Sequence, residues 1–181
     1  MTDPVETLVF DFTQQVFPAG THGFAARWLA PRGSPVTNGR GQLLAILCPG
    51  SPYSQVRSPT GKKLARIESP SALSPEPREG LRVVAAGGAT LADVTPALGA
   101  GMLALDVAGS EPLTAAQERP GGPWLVRTSG GELVAAVPSA PHGPGREAVR
   151  VYSRLITGAA AIGVFWAIFM LTSQAAAAGG Q

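Results

Sequence analysis

LITGAAAIGVFWAIFML, Leu155 to Leu171, decides how the rest of the chain is read. No charged residue occurs from Leu155 to Gln181. A bilayer core about 30 Å thick is crossed by roughly 20 apolar residues in a helix, and a helix in lipid satisfies its own backbone hydrogen bonds. Leu155 to Leu171 supplies the apolar body, Thr172 to Gln174 are polar but uncharged, and Ala175 to Ala178 add a further turn. The expectation is a transmembrane helix over 151–174 with a short tail, 175–181, on the far side. The rival reading is a buried helix of a globular domain, which usually keeps a polar stripe.

The residues before this segment, REAVRVYSR, carry Arg146, Arg150 and Arg154 against one acid, Glu147. Basic residues flanking a span stay on the cytoplasmic side. That predicts a single-pass protein of a bacterial inner membrane, with its N-terminus cytoplasmic and its C-terminus periplasmic. The start, MTDPVETLVFDF, shows neither the basic nor the long apolar region of a secretory signal. Arg146, Arg150, Tyr152 and Arg154 are then expected to fix the helix at the membrane interface, through headgroup contact, anchoring and snorkelling.

The preceding residues read as mainly β. Short apolar runs bounded by turn residues mark strands: Thr7–Phe12, Gly23–Leu29, Gln42–Cys48, Lys63–Glu68, Leu81–Ala86, Met102–Val107, Trp124–Thr128 and Glu132–Val137. The last two are separated by Ser129, Gly130 and Gly131, a three-residue hairpin loop with glycine available for positive φ. Glycine (23) and proline (17) gather at 49–61, 69–80, 109–123 and 138–145, which read as long loops. Thr90 to Leu98 is a short-helix candidate, capped by Thr90 with Asp93 at the capping-box spacing and cut by Pro96. Thr114 to Glu118 is a second, weaker one. The expected fold is therefore a small β-sandwich or partly open barrel over 1–137, with a subdivision near 69–80 left open, a Pro/Gly-rich basic linker over 138–150, and the helix.

Catalytic chemistry finds little support. SPTGKK, Ser58 to Lys63, has Val56 and Lys63 where a phosphate loop needs glycine and serine or threonine, so Gly61 reads as a turn. Gly87 and Gly88 follow a strand without a third glycine at dinucleotide spacing, again a turn. His22 and His142 lie far apart in sequence without metal-ligand spacing and read as loop histidines. Cys48 sits in the apolar run LLAILC as a small hydrophobe. Serines cluster beside prolines, where they favour turns, and no nucleophile elbow is present. A pocket around Asp11, Asp93 or Asp106 would reopen an enzyme reading. Net charge is +2, with basic residues scattered, which gives little reason to expect a nucleic-acid partner.

The apolar segment also lacks the ionisable residues that mark ion or proton pathways, or a histidine that would hold a pigment. No cofactor is expected on this chain's own side-chain ligands. Ala159, Gly163 and Ala167 form a small-residue stripe suited to docking another protein's helix. Phe165, Trp166 and Phe169 give bulk suited to contact with lipid or a cofactor tail. Together these features predict a non-catalytic accessory subunit of a bacterial membrane complex, of respiratory or photosynthetic type, whose β domain caps the cytoplasmic face. Its partners would be integral membrane subunits and the bilayer. The alternative is a free-standing tail-anchored adaptor that recruits soluble partners through proline-rich loops.

Overall fold

A computed structural model describes residues 3–19, 32–50, 53–69, 79–97, 101–139 and 145–178, with side chains of the last segment described to Ser173. Twelve antiparallel strands close into one barrel. They are β1 (Glu6–Asp11), β2 (Ser34–Asn38), β3 (Leu43–Cys48), β4 (Tyr53–Arg57), β5 (Lys63–Glu68), β6 (Leu81–Ala85), β7 (Thr90–Pro96), β8 (Met102–Val107), β9 (Leu113–Gln117), β10 (Trp124–Thr128), β11 (Leu133–Val137) and β12 (Arg146–Val151). One helix, α1 (Gly158–Ala178), follows. Each strand pairs with its neighbour in sequence, and β12 closes the ring on β1 over six residue pairs, Glu6↔Val151 to Asp11↔Arg146. Closure removes the unpaired edges an open sheet would expose.

Five hairpins share one design at the same rim. The turns 39–42, 58–62, 86–89, 108–112 and 129–132 each contain a glycine at positive φ, namely Gly41, Gly61, Gly88, Gly109 and Gly131. In four of them the strand register slips by one residue beside the turn, after Val36, Val56, Val83 and Val126. A tight turn with a left-handed glycine and an adjoining bulge suits the right-handed twist of the strands, and the bulge bends the wall toward closure. The hairpin expected at Ser129 to Gly131 is one of these five. Gly61 and the Gly87–Gly88 pair form turns as the sequence suggested.

The strands alternate apolar-in and polar-out. Inward positions of the returning strands carry Ala45, Ala65, Ala92, Ala115 and Ala135, all at most 1 % exposed. Four face a valine across the hairpin, in the pairs Val36↔Ala45, Val56↔Ala65, Val83↔Ala92 and Val126↔Ala135, and Ala115 faces Leu103. This girdle of small side chains leaves the middle of the barrel to a helix. Twelve strands about 4.8 Å apart and tilted about 40° close at a backbone radius of about 12 Å. That admits one helix 10–12 Å across with its side chains and a thin layer of wall side chains.

The helix fills that space. Val164, Phe165, Ala167 and Ile168 are 0 % exposed and Phe169 2 %. Phe169 meets Phe10 of β1 edge-on at 5.4 Å between ring centroids, and Phe12 meets Trp166 at 5.6 Å. Gly158, at φ +59, turns the chain from the end of β12 into the barrel axis. The helical part of the apolar segment, 158–171, is thus the central core element. Among the described residues no helix is long and apolar enough to cross a membrane. The expected transmembrane span over 151–174 is replaced by a helix walled in by strands. A segment surrounded by apolar wall on every side has no need of a polar stripe, so it reads like a span.

Other expectations change with it. The β class holds, but the barrel is closed rather than a sandwich or a partly open sheet. Thr90 to Leu98 is not a helix: Thr90–Pro96 is β7, and Thr114 to Glu118 lies largely in β9. The loops read over 49–61 and 109–123 contain β4 and β9. Arg146 to Arg150, expected within a basic linker, and Val151, expected to open the span, form β12. β2 went unrecognised because Pro35 interrupts a five-residue run. The strand expected at 23–29, His22 and His142 lie outside the described residues.

Candidate functional site

The barrel has two unlike rims. One holds the five tight turns, the residues leading into β1 and the reversal into the helix. From the other leave the connections 12–33, 49–52, 69–80, 97–101, 118–123 and 138–145, which include every strand-to-strand connection longer than five residues. They are also richest in proline. Where described, this rim is held by polar contacts. Gln117 donates through Nε2 to the Gly122 carbonyl at 2.7 Å and to Ser139 Oγ at 3.0 Å, and Ser139 Oγ donates to the Gly121 carbonyl at 3.0 Å. Connections 118–123 and 138–145 are thereby tied together. The described start of the first connection, 12–19, leaves the same rim and runs down the outer wall. Val16 bridges to Gly33, and the Ala19 amide donates to the Pro59 carbonyl in the turn at the opposite rim.

This crossing lies against β3. Ile46 and Cys48 alternate outward yet are 0 % and 5 % exposed, and a Cβ on Gly33 would meet Ile46 Cγ2 at 2.7 Å. Burial pushes the Cys48 thiol up, opposed by the Arg57 charge. The expected role of Cys48 as a small buried hydrophobe fits that placement.

The outer wall of β4 to β8 carries a charged row. Tyr53↔Glu68, Glu68↔Arg82, Arg82↔Asp93 and Asp93↔Asp106 are successive cross-strand partners. Arg82 Nε donates to Asp93 Oδ1 at 2.7 Å, and Arg66 pairs with Glu68. Charged outside and apolar inside is the reverse of a transmembrane barrel, whose lipid-facing wall is apolar. Asp93 and Asp106 therefore lie on the outer wall rather than in a pocket. Asp11 is also on that wall, accepting from the Thr13 amide at 3.0 Å and pairing with Arg146 Nε at 3.2 Å.

The residues expected to meet a membrane or another subunit meet the barrel instead. Gly163 lies against Val83, Ala167 is fully enclosed, and Ala159 packs at the margin of the core. Phe165 and Phe169 are core residues, with Trp166 half-buried against Phe12. Arg146 and Arg150 point outward from β12, while Tyr152 and Arg154 belong to the reversal before α1. Among the described residues these arginines precede a helix packed inside the barrel.

One half-buried acid escaped sequence reasoning. Glu147 pairs across the wall with Phe10, whose ring is in the core, so it takes an inward register position at the start of β12. Burial pushes that carboxyl up from its ordinary value of 4.5. Only the register with β1 could have identified it. Among the described residues, no three His, Cys, Asp or Glu side chains gather as a metal site. Comparison with protein-family models, curated proteins and solved structures gives no match to this chain.

Proposed function

We propose that this chain is a non-catalytic accessory or adaptor module whose rigid barrel displays proline-rich connections to a protein partner. The observation that carries the reading is the division between the rims: tight glycine turns join the strands at one end, and every longer strand-to-strand connection lies at the other. The interior supports it, because α1 occupies the space in which a barrel of this size would hold a small molecule. Long connections on a rigid scaffold are the usual place for recognition residues. In this reading the partner is a larger protein assembly, as the sequence suggested, but attachment runs through the rim and not through the helix.

Site-specific photo-crosslinking in cells of origin tests it. A photoreactive residue at Ala97, Arg119 or Pro138 should form discrete adducts, and one at Gly87, Gly109 or Gly130 should not. Adducts from the tight-turn rim alone, or none from either rim, would overturn the proposal.

A further inference from the structure

At the tight-turn rim, where the chain reverses into α1, a cleft of about 640 Å³ opens between the start of β1, the turn after β2 and the reversal 153–157. Arg40 and Arg154 line it from two different elements, both exposed and neither in an ion pair among the described residues. Arg40 stands on a turn held from within: Asn38 Oδ1 accepts from the Arg40 amide at 3.0 Å and from the Gln42 amide at 2.9 Å. Neutral hydrogen-bonding side chains, Asn38 and Thr157 among them, and apolar ones such as Val151 and Ile156 also line it, and Glu6 is its one acid. Val5 lines the same cleft at 56 % exposure, and Leu155, next to Arg154, is 37 % exposed. These are two of the three exposed large hydrophobic residues described.

We propose that this cleft binds a phosphate-bearing anion between Arg40 and Arg154. A guanidinium offers a planar fork of donors that matches two phosphate oxygens at once, and here neither fork is taken by a carboxylate. The rigid turn lowers the cost of ordering Arg40 on binding. The cleft is open enough for a phosphate that stays attached to a larger body, and Val5 and Leu155 beside it suit a phosphate carried by a lipid headgroup. A soluble phosphate ester presents the same recognised group. The site lies at the rim opposite the proline-rich connections and does not depend on them.

The test uses the full chain in two arms: calorimetric titration with inorganic pyrophosphate, and co-sedimentation with phosphatidylcholine vesicles with or without phosphatidylglycerol. Saturable binding in at least one arm is expected. Arg40→Ala and Arg154→Ala should each weaken it about tenfold, the scale of one charge-assisted hydrogen bond, and Glu6→Gln should strengthen it. Arg119→Ala, at the opposite rim, should leave it unchanged. All four positions are exposed, and near-ultraviolet circular dichroism checks that each variant keeps its fold. Capture on anionic vesicles that weakens on Val5→Ser and Leu155→Ser assigns a lipid source, and pyrophosphate binding without vesicle capture assigns a soluble one. Absence of binding in both arms, or binding indifferent to both arginines, overturns the proposal.

Discussion

Gly163 of the central helix and Val83 of β6 are fitted so closely that a Cβ on the glycine would lie 2.5 Å from Val83 Cγ1 and 3.0 Å from Cγ2. The valine is itself fully buried and stiff about its first side-chain torsion. The glycine is there because the wall needs its volume.

Gly163→Ala should accordingly destabilise the protein. The substitution gains about 1 kcal/mol of helix propensity, whereas overpacking a full core costs about 1–3 kcal/mol, so the net change is expected to be a loss. A denaturant titration reads it, and Val83→Ala in the same chain should recover part of that loss. A stabilised single variant would show that the helix does not sit on β6 as described.

Phe169 closes the core against Phe10 and Phe12, with ring centroids at 5.4 and 6.0 Å. Phe169→Ala should cost about 3–5 kcal/mol, the usual range for emptying a buried aromatic site. The coupling with Phe10→Ala in a double-mutant cycle should be about 0.5–1.5 kcal/mol. Truncation after Ser153 is expected to abolish cooperative unfolding altogether, since the barrel would enclose a void in place of its helix. A truncated chain that still melts sharply would contradict this architecture.

Glu147 is half-buried at an inward register position of β12, and burial raises its pKa above the unfolded value. The folded state therefore prefers the protonated carboxyl, so the group favours folding at low pH and loses that contribution as pH rises from the unfolded to the folded pKa. Glu147→Gln should raise Tm at pH 7 relative to the parent. The advantage should vanish as pH falls below the ordinary carboxyl value of 4.5. Thermal melts of both proteins across that range measure it, and an advantage independent of pH would refute the assignment.

Arg82 stands between Glu68 and Asp93 on the outer wall, with Asp106 beyond. Arg82→Gln would leave three carboxylates in one row. Cross-strand and surface ion pairs contribute about 0.2–1 kcal/mol, so a loss of about that size is expected at low salt. It should shrink at 1 M salt, where the screening length is about 3 Å. Chemical denaturation with urea at the two ionic strengths distinguishes the cases.

Much of the wall was legible in the residues. LVFDF, LLAILC, KLARIE, MLALDV and WLVRT announce strands through alternation and bounding turns, and SGG announces its hairpin, because these signals are local. β7 was not legible: Thr90 and Asp93 have the spacing of a helix cap, but Asp93 is spent on Arg82, a residue of another strand. β12 was hidden by its arginines, which suit an outward face as well as a membrane flank. Of the candidate site residues, Arg154 was visible as a cation, but its place beside Arg40 depended on two elements distant in sequence.

The sequence by itself determined that the apolar run ending at Leu171 carries a helix with no polar side, which begins at Gly158, that strands dominate before it, and where most of them lie. Apolar character specifies removal from water and says nothing about what replaces the water. Only the tertiary structure decided that. Twelve strands close at a radius that takes one helix, and their inward alanines and valines leave the space for it. Gly163 meets Val83 there, so the segment spends its apolar surface on its own barrel.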